Sequence, residues 1–289
     1  METGALKPET NSPRPDIQTL GLIAGNRTLP LLLAEQARKH GVQRLVAVAF
    51  TGETDPALAQ FVDEIVWLKV GQLVKLIEAF KSRGVQHCVM AGQIAPRNLF
   101  DLRPDLRAMR LLLQLKEKNA QTIFGAVAEE LGKAGVQLIE AIPWLRPLMP
   151  AEGFCLGASP TAEQIEDVTF GFRIAKEISR LEIGQTVVVK EGTVLAVEAF
   201  EGTDQCLARG GQLAGQHGGG VAVKVAKEKH DFRFDIPCIG PATVQTCANA
   251  GISVLALEPG CTLVLEQDQV EKLARKHHIT VMTVGKPAG

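Results

Sequence analysis

Apolar residues recur along this chain in short runs, separated by stretches whose apolar positions fall at helical spacing. Residues 20–24 form one such run, closed by Gly25, and 29–38 has the apolar spacing of an amphipathic helix. A second run at 45–50 is followed by a helical pattern over 70–81, and a third at 88–90 ends in Ala91-Gly92. Helical patterns at 106–118 and 122–133 then lead to a strand pattern at 136–139. Strands alternating with helices of this length predict βαβ units and a parallel sheet.

The pattern breaks between 143 and 160, where Pro143, Pro147, Pro150 and Pro160 alternate with Gly153 and Gly157. Such a stretch sustains no period and reads as a linker. After it, Ile165, Val168, Phe172, Ala175 and Ile178 mark a long helix over 162–180. Strand-like runs at 186–189 and 193–200 are joined by Lys190-Glu191-Gly192, the signature of a tight hairpin. A helix from about 204, a strand near 221–225 and a strand–helix–strand series over 252–284 follow. The fold class is α/β: an N-terminal Rossmann-like parallel βαβ domain (17–148), a linker (149–160) and a C-terminal mixed α/β domain (161–286). Residues 1–16, polar and holding Pro8, Pro13 and Pro15, read as a disordered tail.

Composition limits what such a chain does. With 289 residues, 46% hydrophobic and 22% charged, it has apolar mass for two cores. The 31 basic and 32 acidic side chains give a net charge of −1, which offers no footprint for nucleic acid. Cysteines 88, 155, 206, 238, 247 and 261 make no CxxC pair, so neither zinc spacing nor a disulfide framework is present, and a reducing cytoplasm suits them. The start of the chain lacks a basic segment followed by an apolar one, so it is not a signal peptide. The apolar runs are strand-sized, which leaves only peripheral membrane contact. Leu102, Leu106, Met109 and Leu113 form a helical stripe flanked by Arg103, Arg107 and Arg110. That stripe suits an anionic bilayer surface, but a homodimer or domain interface is the commoner use of such a stripe and the favoured reading.

Four segments offer chemistry. In the first, Gly25, Asn26 and Arg27 follow a strand and precede a helix that Thr28 can cap; amides there attract phosphate. No acidic residue ends the second strand at Phe50-Thr51-Gly52, which disfavours dinucleotide binding, and an ordinary βα turn explains the segment as well. The second, Gly92-Gln93 through Arg97, again follows a strand and is either a base or phosphate contact or a structural turn. In the third, period two puts Glu198 with Val194, Ala196 and Phe200 on one apolar face, costly for a carboxylate without a partner or a metal. Glu198, Glu201 and Asp204 lie close enough in sequence to hold a hard cation, whereas capping by Thr203 and Asp204 is the plainer role. In the fourth, Asp235 interrupts an extended apolar segment fixed by Pro237, which marks a perturbed carboxylate or a Mg2+ ligand unless nearby amides simply satisfy it. The chain has no tyrosine and no Walker A, GxSxG or HExxH sequence, and adjacent His277 and His278 suit a helix end.

On these segments the chain resembles the UDP-2,3-diacylglucosamine diphosphatases of the LpxI type, which serve lipid A biosynthesis. The matching stretches are Gly21-Leu-Ile-Ala-Gly25 with Leu29-Pro30, Ala91-Gly92, and Glu182-Ile183-Gly184-Gln185. More specific are Val194-Leu-Ala-Val-Glu-Ala-Phe-Glu-Gly-Thr-Asp204 and Phe234-Asp235-Ile-Pro-Cys-Ile-Gly240, and the likeness runs from Leu20 to Val284. It implies two domains that bind an acylated UDP-glucosamine between them. It further implies attack of water on the α-phosphorus with Mg2+ assistance (Mn2+ left open), releasing UMP and 2,3-diacylglucosamine 1-phosphate. The family's essential aspartate falls on Asp235, as metal ligand or general base. Glu198 is then the second metal candidate, Glu201 and Asp204 supporting catalytic candidates, and Gly25, Asn26, Arg27, Gly92, Gln93 and Thr203 the nucleotide contacts. Arg27 stands where the family has a small residue, and 93–97 departs from its usual continuation. A non-catalytic sugar-nucleotide-binding or regulatory module is the rival expectation, with the protein cytoplasmic and in transient contact with the inner membrane surface.

Overall fold

The structure, a computed structural model, describes residues 16–93, 104–116, 120–227, 231–234 and 236–284, and side chains of 120 and 121 are left aside. Among the described residues two compact units form, one gathering 16–146 with 231–234, the other 147–227 with 236–284.

The first unit is built on β1 (Thr19–Ala24), β2 (Arg44–Phe50), β3 (Glu64–Leu68), β4 (His87–Ala91) and β5 (Gln137–Leu138). They pair in parallel in the order β3-β2-β1-β4-β5, the Rossmann arrangement. Helices α1 (Leu29–Lys39) and α2 (Leu73–Lys81) make the first crossovers, and α3 (Leu106–Gln114), α4 (Ala120–Lys133) and α5 (Ile142–Leu145) follow. From Leu20 on, β1 is buried throughout, as is β2 from Leu45, which explains why both read as unbroken apolar runs. Val46, Val48, Phe80 and Leu131 sit at the centre of this core. β3 was not separable in the sequence, because its face is only partly buried and Trp67 points outward.

α3 stops at Gln114, four residues short of the expected end at 118. Asp105 caps it by accepting from the Ala108 amide at 2.9 Å, and Arg107 pairs with Glu130 at 2.5 Å. Leu106 and Leu113 are each 74% exposed, and Met109 shares their side of the helix. Among the described residues no helix is long and apolar enough to cross a membrane.

The second unit holds β6 (Cys155–Leu156), α6 (Ala162–Arg180), β7 (Thr186–Lys190), β8 (Thr193–Val197), α7 (Thr203–Leu213), β9 (Gly220–Lys224), β10 (Cys238–Ile239), α8 (Pro241–Ala250), β11 (Ile252–Leu257), β12 (Leu263–Val264), α9 (Gln267–Lys276) and β13 (Thr280–Thr283). Its main sheet has the order β6-β13-β11-β9-β7-β8. β9, β11 and β13 are parallel, while β7 runs antiparallel to both β8 and β9. Glu191 and Gly192 adopt positive φ in the β7–β8 turn, and the buried Asp167 carboxylate accepts both their amides at 2.8 Å. One sheet face packs Val187, Val189 and Val223 with Val168 and Phe172 of α6. The opposite face packs Val188, Ala222 and Leu255 with Cys206 and Leu207 of α7 and Val244 of α8. Residues 149–160, expected as a linker, carry β6, which pairs antiparallel with β13. α8 was not foreseen; Pro241 at its first turn and Gly251 in the left-handed cap are the signals that mark it.

Candidate active site

In the first unit the strand order reverses between β1 and β4, and ligands of such sheets favour the carboxyl end of that gap. Both N-terminal candidate segments lie there, fastened to each other. The Gly25 amide donates to Ala91 O and the Asn26 amide to Gln93 O, each at 2.8 Å. A Cβ on Gly25 would stand 2.6 Å from the Gln93 carbonyl oxygen, and one on Gly92, at φ +83°, would stand 2.5 Å from the Asn26 oxygen. These glycines are therefore required by the approach of one loop to the other.

Asn26 Nδ2 donates to Glu53 Oε2 at 3.2 Å, whereas its Oδ1 is buried without a partner. Glu53 lies three residues past the end of β2 at Phe50, beyond the Phe50-Thr51-Gly52 strand end where an acid is expected. Arg27 is exposed at φ 65°, a conformation that strains a non-glycine residue. Thr28 occupies the N-cap position of α1 but makes no side-chain capping bond, contrary to expectation. Its backbone lies in the helical region rather than the extended one that aims a cap inward. Gln93 is exposed, and 94–97 lies outside the described residues.

In the second unit β8, β9 and β11 end at one edge, placing Glu198, Lys224 and Glu258 just there. Glu198 lies past the end of β8, and its supposed face partner Phe200 is fully exposed, because the strand pattern stops at Val197. The Glu198 carboxylate is satisfied locally: the Thr203 hydroxyl donates to Oε1 at 3.0 Å and the Gln185 amide to Oε2 at 3.4 Å. Lys224 Nζ in turn donates to Thr203 Oγ1 at 2.8 Å. Gly202, at φ 85°, is the N-cap of α7, so Thr203 and Asp204 begin the helix instead of capping it. Thr203 spends its hydroxyl on Glu198 and Lys224, and exposed Asp204 complements the helix dipole.

Glu201 is committed elsewhere. Arg209 pairs with its Oε1 at 2.6 Å, and the Ala199 amide donates to Oε2 at 3.2 Å. The Arg209 hydrogen bond, chiefly, holds the Glu201 carboxyl below its ordinary value. Among the described residues no three His, Cys, Asp or Glu side chains gather as a metal site, so Glu198, Glu201 and Asp204 do not form the expected carboxylate cluster. Cys206 and Cys247 are no nucleophiles either: burial pushes both thiols up to about 12.

Asp235 lies outside the described residues, and its neighbours are informative. Residues 232–234 form a turn, not the expected extended segment, with the Phe234 amide donating to Asp231 O at 3.1 Å. Arg233 binds both oxygens of Asp231, and the Phe234 ring stacks on Phe124 at 6.3 Å and packs against the first unit's core. Ile236 is buried in the second unit, and β10 pairs with β12 directly after it. Asp235 thus follows, in sequence, a residue anchored in one unit and precedes a residue anchored in the other. Lys224 and Glu53 are the site-edge residues the sequence did not single out; Lys224 hid inside an apolar strand run.

Both units find matches among known proteins. The LpxI N-terminal domain matches over residues 19–148 and the LpxI C-terminal domain over 151–282. UDP-2,3-diacylglucosamine pyrophosphatase LpxI of Caulobacter vibrioides is 32% identical over 263 residues, covering 88% of this chain and 93% of that protein. Among solved structures, N5-carboxyaminoimidazole synthetase from Staphylococcus aureus complexed with ADP is 14% identical over 65% of this chain and 39% of its own, with a TM-score of 0.27. A likeness at that level carries no argument. The two matched domains and the Caulobacter relative show that this chain belongs to the LpxI family.

Proposed function

We propose that the protein hydrolyses the pyrophosphate of UDP-2,3-diacylglucosamine, water attacking the α-phosphorus to release UMP and 2,3-diacylglucosamine 1-phosphate. The observation that carries this reading is the Caulobacter relative, whose name states that substrate and whose likeness spans both domains. The polar edge of the second sheet supports it, since Glu198, Thr203 and Lys224 offer acceptor and donor groups together beside strand ends.

Asp235 is assigned the central role, as general base toward water or as metal ligand, with Glu198 as the second carboxylate. Glu201 is left to hold its loop through Arg209, and Asp204 to stabilise α7. Asn26, whose buried Oδ1 awaits a donor, and Arg27, held exposed at the β1 end, are assigned to the nucleotide portion, with Gln93 beside them. Gly25 and Gly92 shape that edge rather than contact the ligand by side chain.

Mg2+ keeps several waters and is commonly held by one or two carboxylates plus substrate phosphates, so the carboxylate of Asp235 would hold it without a three-residue cage. When bound on the diphosphate it would neutralise phosphate charge and lower the pKa of water. Activity confined to a cytoplasmic protein touching the inner membrane would let the exposed α3 stripe meet the acylated substrate's surroundings. The test is UMP release from the acylated sugar nucleotide with Mg2+ or with EDTA. Tight binding without turnover would replace this reading with that of a binding module.

A further inference from the structure

The carboxyl edge of the second sheet holds two lysines in opposite circumstances. On one face, Lys176 of α6 is fully engaged: its Nζ donates to both carboxylate oxygens of Glu258, at 3.1 and 3.2 Å, and to Ala226 O at 2.9 Å. On the other face, Lys224 is 8% exposed, and among the described residues no carboxylate lies within ion-pair range of it. Its one hydrogen bond goes to Thr203 Oγ1 at 2.8 Å. An ammonium carries three donors, so two are unused in a nearly buried position. A buried charge in that state is costly unless something compensates it.

A second, independent observation points to the same place. Thr186 is the direct cross-strand partner of Lys224 in the β7–β9 pair, and partnered residues project on one face of a sheet. Thr186 is fully buried, yet its Oγ1 has no hydrogen-bond partner. The first turn of α7, reached through Thr203, adds a helix N-terminus without a side-chain cap. The Glu198 carboxylate is turned to other donors, the Thr203 hydroxyl and the Gln185 amide. Spare donors on an ammonium, an idle buried hydroxyl and an uncapped helix start are what an acceptor-rich anion uses.

We propose that Lys224, with Thr186 and the first turn of α7, is the seat of a phosphate group. That the phosphate belongs to a nucleotide-sugar diphosphate rests on the function proposed above; the seat itself does not. Lys224 binds by charge-assisted hydrogen bonding, Thr186 adds a neutral hydrogen bond, and Thr203 holds the ammonium in place.

Inorganic pyrophosphate is the probe, titrated calorimetrically into the full-length protein and into Lys224→Met, Lys224→Arg and Thr186→Val. Thermal melting, followed by circular dichroism, monitors the fold of each. The expected result is saturable binding by the wild type, weakened at least tenfold in Lys224→Met and about threefold in Thr186→Val, with melting temperatures at or above the wild type's, because each change removes an unsatisfied buried group. Lys224→Arg retains part of the affinity. Should Lys224→Met fail to fold, Thr186→Val decides: wild-type affinity in it overturns the proposal. Unchanged affinity in a folded Lys224→Met, or no binding by the wild type, overturns it too. Lys224-dependent pyrophosphate binding without UMP release from the acylated sugar nucleotide would leave the seat standing while the hydrolase reading falls. Release unaffected by Lys224→Met, with unaltered pyrophosphate affinity, would do the reverse.

Discussion

Lys176 Nζ lies 3.1 Å from one carboxylate oxygen of Glu258 and 3.2 Å from the other, while Glu258 Oε2 also accepts the Ala226 amide at 2.9 Å. The pair ties α6 to the ends of β9 and β11, and Glu258 is buried. Removing one partner strands the other, which for buried pairs costs about 3–5 kcal/mol. Lys176→Met is therefore expected to lose stability of that order in urea denaturation. Lys224→Met, which strands no carboxylate, is expected to lose none.

The loops after β1 and β4 leave no room for a methyl group between them. Gly25→Ala and Gly92→Ala each press a Cβ onto a backbone oxygen, at 2.6 and 2.5 Å, and Gly92 adds the strain of positive φ. Each substitution is expected to destabilise the protein by about 1–3 kcal/mol, read as a lower denaturation midpoint. Loss of activity without loss of stability would assign these glycines to ligand contact instead.

Glu201 gives a pH signature. Its folded-state carboxyl is held down, first of all by the Arg209 hydrogen bond, so its contribution is present above the unfolded value of about 4.3 and is lost as pH falls through the lower folded value. Glu201→Gln is expected to melt slightly below the wild type at pH 7 and to converge with it as pH drops below about 4. A gap that widens on acidification would refute the assignment.

Exposed Leu106, Met109 and Leu113 on α3, with exposed Arg110 beside them, suit an anionic lipid surface. Co-sedimentation with vesicles containing anionic phospholipid is expected for the wild type and reduced severalfold in the Leu106→Glu/Leu113→Glu double variant. Equal sedimentation of both, together with a dimer that only the wild type forms, would give the stripe to a second copy of the chain.

Much of the fold was legible because its strongest signals are local. The buried strands β1, β2 and β4 read as apolar runs, and α6 matched residues 162–180 because its apolar stripe is long and Thr161 with Gln164 closes a capping box. β3 and α8 were missed, the first for its half-exposed face and the second for a run of Thr, Cys and Asn that favours no helix. The site was legible as residues but not as partnerships. Period two carried Glu198 and Phe200 onto one face only because the strand was assumed to reach Phe200, three residues past its end at Val197. Nothing local shows that Thr186 and Lys224 meet, since a pairing between residues 38 apart is set by the sheet and not by the neighbours of either. Likewise Phe234 packs against Phe124 in the first unit although it lies in the C-terminal half of the sequence.

UMP release from UDP-2,3-diacylglucosamine most directly tests the proposed hydrolysis of an acylated sugar nucleotide with Asp235 at its centre. The wild type is expected to release UMP with Mg2+ and to stop in EDTA, and Asp235→Ala to lose about 10²–10⁴ in rate while remaining folded. Equal rates for wild type and Asp235→Ala, or no UMP from the wild type, would contradict it.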